Sequence, residues 1–237
     1  MKGTGTDNPW LPAFRAMGRA IVSALVTYAL LVPNVTLAIT FHSYSVGRET
    51  TGSGFTGVRS NRYDMAVSDI PDTGCGAPFT GSAVYQTEWV ASGDGLNWRE
   101  IGTGHQCHDT YRYWYWAYGV DGGFYPIGEQ LGISNGQAHI FKISRAFDGT
   151  ANRYYFAVDN ITKGTLYSER TFARVEAGLE SLAGSADVIF STGLLEYQKN
   201  NGAFSDWSGK DAKVVDNNMC GQWNFDTTWQ SGEGSAC

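Results

Sequence analysis

Tyr111-Arg112-Tyr113-Trp114-Tyr115-Trp116-Ala117-Tyr118 places six aromatics in eight residues. Flat rings pack on a pleated surface and crowd a helix, so this run is strand material. Alternation sends Tyr111, Tyr113 and Tyr115 to one face and Trp114, Trp116 and Tyr118 to the other. Rings on both faces mark a central strand, with one face in a core and the other in a covered or ring-lined groove. Such a strand fits an all-β fold, a single β-sandwich of two antiparallel sheets with a binding face.

The flanking sequence has the same character. Strands are expected at 39–46, 63–68, 83–91, 97–103 and 110–119, then at 139–145, 153–158, 165–172 and 187–192. Turn clusters separate them: Ser92-Gly93-Asp94-Gly95, Val120-Asp121-Gly122-Gly123, Ser134-Asn135-Gly136 and Asp148-Gly149-Thr150. Thirty glycines and 14% aromatics among 237 residues suit short strands and tight turns. A hydrophobic share of 42% is enough to build a core. One segment, Ala173–Leu182, carries Val175, Leu179 and Leu182 at helical spacing and is expected to be a short helix. From about residue 199 the chain becomes a polar, Trp-bearing tail, expected to close one edge of the sandwich.

Residues 1–38 read as a signal peptide, leaving a sandwich domain at 39–237. Ile21–Val32 is a predominantly apolar run of twelve residues preceded by Arg15 and Arg19, and Thr36 and Ala38 are small residues at a cleavage-site spacing. Twelve residues are too few to span a bilayer, so the mature chain is expected to be secreted with no membrane span. Met17-Gly18-Arg19 would make a tidier start than Met1. Removing the segment takes away Lys2, Arg15, Arg19 and Asp7, so 17 basic and 23 acidic residues become 14 and 22, a net charge of −8. An acidic protein without a basic cluster is a poor nucleic-acid binder. Cys75, Cys107, Cys220 and Cys237 are an even set in an exported chain, which reads as two disulfides, with the nearest-neighbour pairing favoured among three.

No nucleophile elbow, zincin, phosphate-loop or dinucleotide motif occurs. His105-Gln106-Cys107-His108-Asp109 lacks metal-site spacing if Cys107 is in a disulfide, and no acidic loop has a calcium pattern. No metal or cofactor is expected. Carboxylates are the better prospect. Glu88 and Glu100 each sit on a strand beside a tryptophan, Trp89 and Trp98, and Asp187 opens the apolar strand Val188-Ile189-Phe190. A carboxyl among rings loses hydration, so its pKa rises and it can act as an acid near neutral pH. Trp89, Trp98, Trp114 and Trp116 could stack on a sugar ring or an extended peptide, with Glu88, Asp94 and Glu100 supplying hydrogen bonds.

Phe55-Thr56-Gly57-Val58, Val67-Ser68-Asp69-Ile70-Pro71, Glu88-Trp89-Val90, the Asp94-Gly95 turn, the Tyr113–Trp116 run and Ser185-Ala186-Asp187-Val188-Ile189 occur in an order and spacing that span residues 54–193. In these the chain resembles the glutamic peptidases (eqolisins) and their bacterial relatives. That resemblance implies a concanavalin A-like sandwich of the lectin/glucanase type. It also implies catalysis by a Gln and a Glu on neighbouring strands, the Glu as base for water and the Gln holding the tetrahedral intermediate. The Gln-x-Gly context matches Glu100-Ile101-Gly102, and the Glu position matches Asp187. Neither catalytic residue is preserved. Glu100 can donate a hydrogen bond only when protonated, and Asp187 is one methylene short, moving its oxygens by roughly 1 Å. The leading expectation is therefore a secreted non-catalytic binding module for carbohydrate or another extended polymer. The alternatives are an acid-active peptidase using Asp187 and Glu100, and a structural or adhesion protein.

Overall fold

The computed structural model describes residues 43–63, 83–106, 113–131, 137–181, 188–209, 211–215, 218–225 and 227–234. Two antiparallel sheets form a sandwich. The first has the order β13 (Asp211–Val215), β1 (Ser43–Glu49), β10 (Arg174–Ser181), β3 (Ala83–Ala91), β4 (Trp98–Gln106), β5 (Tyr113–Val120), β6 (Gly123–Leu131). The second has the order β14 (Met219–Phe225), β15 (Thr228–Glu233), β11 (Val188–Lys199), β2 (Phe55–Tyr63), β7 (Ala138–Phe147), β8 (Asn152–Val158), β9 (Ile161–Tyr167), with β12 (Phe204–Asp206) on β11. Among the described residues there is no α-helix, and none long and apolar enough to cross a membrane. The expected signal segment, the 64–68 part of one expected strand, and Asp187 lie outside the described residues. So do Cys75, Cys107 and Cys237, while Cys220 on β14 is disulfide-bonded.

The described part of the aromatic run, Tyr113–Tyr118, lies in β5, an interior strand that carries buried rings on both faces, as its alternation requires. Trp114 and Trp116 on β5 join Val90, Ile101, Phe141, Ile143, Phe156 and Val175 between the sheets. Tyr113, Tyr115 and Ala117 face away from them, clustered with Tyr85. The Trp116 indole presses on Gly164 of β9 and Gly128 of β6, where a Cβ would overlap it.

The expected helix at 173–182 is a strand instead. On β10, Val175, Ala177 and Leu179 point into the sandwich, and every residue from Val175 to Ser181 is buried. The four-residue step from Val175 to Leu179 fits a strand as well as a helix, and burial on both faces erases the polar alternation that would separate them. β6 was not expected from the sequence. It is an edge strand with Gly123, Pro126 and Gly128, residues that edges tolerate.

The tail extends both sheets rather than closing one edge. β13 borders the first sheet, and the β14–β15 hairpin borders the second, carrying Trp223 and Trp229 into edge-on contact with each other. Glu49 fastens the tail. Its buried carboxylate accepts the N–H groups of Thr51 (2.7 Å), Ser208 (2.6 Å) and Gly209 (2.6 Å). Burial raises its pKa, but the hydrogen bonds from Gly209, Thr51 and Ser208 outweigh burial and leave it lowered. Glu49→Ala strands three donors. We expect it to cost about 3 kcal/mol in chemical denaturation and to speed protease cleavage near residue 208. An unchanged unfolding midpoint would refute that role.

Candidate functional site

The outer face of the first sheet is built in rows set by strand register. Arg48, Glu176, Trp89, Glu100 and Ala117 form one row. The next is Val46, Gly178, Thr87, Gly102, Tyr115, and the third is Tyr44, Glu180, Tyr85, Gly104, Tyr113. Gly102 and Gly104 are required here, because a Cβ at either would overlap the Tyr115 or Tyr113 ring. Three glutamates, Glu100, Glu176 and Glu180, therefore share this face with Arg48, rings and smaller residues.

Glu100 is 1% exposed. One carboxylate oxygen accepts the Thr87 hydroxyl (3.0 Å) and the Tyr115 hydroxyl, and the other accepts the Trp98 indole N–H (3.1 Å). Burial pushes its pKa up, and the hydrogen bonds from Tyr115, Thr87 and Trp98 pull against that. Glu180 is 8% exposed, and its Oε2 has no hydrogen-bond partner among the described residues. Burial first, then the charges of Glu100 and Glu176, drive its carboxyl well above the usual range. Glu176 is held differently: the Nε atoms of Arg48 and Arg174 both lie 2.9 Å from one of its oxygens. One carboxyl thus accepts three hydrogen bonds, the second is raised well above the usual range by burial and nearby charge, and the third is ion-paired.

Of the residues expected from sequence, Trp89, Trp98 and Glu100 are on this face. Trp114 and Trp116 are not: they face the other sheet, as their positions one residue out of phase with Tyr113 and Tyr115 dictate. Glu88 is also a correction. It lies one residue out of phase with Trp89 and points between the sheets, where the Ser60 hydroxyl of β2 donates to it. Asp94 sits in the exposed β3–β4 turn, accepting the Leu96 N–H (2.9 Å) and the Ser92 hydroxyl (2.5 Å), a turn-forming role. Thr87, Tyr115, Glu176 and Glu180 were missed. An even Glu176-to-Glu180 spacing beside alternating apolar residues was the available signal, and the helical reading of 173–182 hid it. Among the described residues no group of three or more His, Cys, Asp or Glu side chains is placed to hold a metal ion.

Scytalido-glutamic peptidase, solved with a peptide-based transition state analog, superimposes on 82% of this chain and 100% of its own, with a TM-score of 0.51. The fold is that of the glutamic peptidases. Sequence identity to that glutamic peptidase is 13%. SCP-B, an eqolisin solved with the tripeptide Ala-Ile-His, matches over 82% of this chain and 100% of its own at 12% identity and a TM-score of 0.50. A Bacillus licheniformis β-glucanase matches at a TM-score of 0.37 and 12% identity, over 79% of this chain and 71% of its own. No protein-family model and no curated protein matches the sequence.

Proposed function

We propose that the protein is an acid-active hydrolase of peptide bonds, with Glu180 and Glu100 as its acid and base. The observation that carries this is the two buried carboxyls on one sheet face, one anchored by three donors and the other raised by burial and then by its neighbours' charge. Glu100 as carboxylate takes a proton from water as the water oxygen bonds to the carbonyl carbon. The Glu180 carboxyl gives its proton to the developing oxyanion or, as the C–N bond breaks, to the leaving amine. This reverses the role expected for Glu100 as proton donor, because the groups around it are donors. It also replaces Asp187 with a residue on β10. Peptide is preferred over sugar because the superimposing structures of TM-score 0.50 and above are peptidases. Export by the signal-like segment at 1–38 belongs to the same proposal.

An aromatic binding module is the second reading, favoured by Trp89 opposite Glu100 on β3 and Trp98 two positions before it on β4. It has lost Trp114 and Trp116, two of the four rings it called for. The deciding experiment is hydrolysis of a denatured protein by the purified mature chain, from about pH 3 to about pH 8. Acid-dependent cleavage supports the hydrolase. A folded chain that cuts nothing across that range returns the binding module to the front, with a glycan and peptide binding screen to follow.

A further inference from the structure

We propose that Trp98 and Phe124 form a seat for an aromatic or bulky apolar side chain of the substrate, beside the Glu100 carboxyl. Its place next to a bond being cut rests on the hydrolase reading above; its affinity does not. Among the described residues of the three adjacent strands β3, β4 and β5, the outward side chains are all buried except Trp98, which is half-buried. Whatever reaches Glu100 over those strands therefore meets this indole.

The indole is fixed at two points. Its N–H is bonded to Glu100, and its six-membered ring lies over Gly119 of β5, where a Cβ would overlap it. Register sets the row as Arg174, Ala91, Trp98, Gly119, Phe124. Small residues thus flank the indole, and beyond Gly119 stands Phe124, half-buried and packed on the Tyr85, Tyr113, Tyr115 and Ala117 cluster. Strands β4 and β6 are two spacings apart, about 10 Å. That makes a flat floor with one aromatic wall.

The chemistry of the seat is apolar. Arg174, the charged member of the row, is committed: its Nε is bonded to Glu176 and its NH1 to the carbonyls of Ser92 (2.6 Å) and Gly93 (2.7 Å). Sugar hydroxyls or an ionic side chain would lack a partner here, whereas a ring or a branched aliphatic group would bury its carbon surface.

The test uses two peptides that differ only in Phe or Ala beside the cleaved bond. The wild type is expected to favour the Phe peptide at least about tenfold in kcat/KM. Phe124→Ser should bring that ratio close to one. Trp98→Phe keeps a ring but removes the N–H from Glu100. It should lower kcat more than it changes KM for the Phe peptide, and move the acid limb of the pH profile upward, because the charged form of Glu100 loses a donor. Thermal melts confirm that each variant is folded. A wild-type ratio near one, or a preference undiminished in folded Phe124→Ser, overturns the seat. If neither peptide is cut at any pH, the hydrolase reading falls alone, and calorimetric binding of the same peptides decides the seat. Tighter binding of the Phe peptide, lost in Phe124→Ser, sustains it; equal binding overturns it.

Discussion

Glu180→Gln lowers the rate of peptide hydrolysis at the acid optimum by about 10²–10⁴-fold with little change in KM, the expected loss of a general acid. An amide cannot give up a proton, yet it has nearly the shape of the protonated carboxyl it replaces. Both members of the pair are raised above the usual glutamate value of 4.5. Activity falls on the acid side as Glu100 gains a proton and on the alkaline side as Glu180 loses its own, so the optimum lies above that value. Glu180→Gln should also remove the alkaline limb. Glu100→Gln separates the possible assignments. It places a Gln where the glutamic-peptidase resemblance has one, so retained activity would move the base to Glu180. Activity lost in both variants leaves Glu100 as base.

The second large effect is on stability, and its sign is opposite to that of most surface carboxylates. Glu88 is fully buried between the sheets, and burial raises its pKa to about 7 against the lowering influence of Arg62 and the Ser60 hydroxyl. Its neutral form is the one the fold favours. The stability it permits is fully present below the ordinary value of 4.5 and is lost as pH rises through about 7. From those two values the loss above pH 7 is about 3 kcal/mol. Glu100 and Glu180 act in the same direction. Glu49 opposes them: its pKa is lowered, so its contribution is lost as pH falls. The melting temperature should therefore be highest in mild acid and drop toward slightly alkaline pH. Glu88→Gln, which keeps an acceptor for Ser60 and adds no charge, should remove about 6–12 °C of that drop. An equal drop in wild type and variant would show that the fold does not raise the pKa of Glu88.

The sandwich was legible because its signal is local. The aromatic run, the Asp-Gly turns and the alternation of β3 to β5 each report their own geometry, and 83–91 is a strand with the bounds expected. The site was legible only where a residue and its neighbours lay on those strands, as with Trp89, Trp98 and Glu100. Glu180 shares the outer face with Glu100 across β3, from a strand more than seventy residues later, and no local pattern encodes that placement. Face assignment failed for Trp114, Trp116 and Glu88 for another reason. Composition says that a ring or carboxyl is present, but one residue of phase decides whether it meets the site or the core. β6 and β13 are edge strands with exposed, polar or glycine-containing sequences, so they lack the apolar alternation that reveals a strand.

The tail has a consequence for how the molecule comes into being. β15 lies between β11 and β14 and places Trp229 in the core, and β13 covers β1, the first described strand. Neither sheet has these border strands until residues 211–233 have been made. A nascent chain shorter than this would present β1 and β11 as open ladders of unpaired N–H and C=O groups, ready to pair with another copy. Synthesis of residues 211–233, rather than the forming of an early nucleus, is then the step expected to commit this sandwich to one molecule instead of an aggregate.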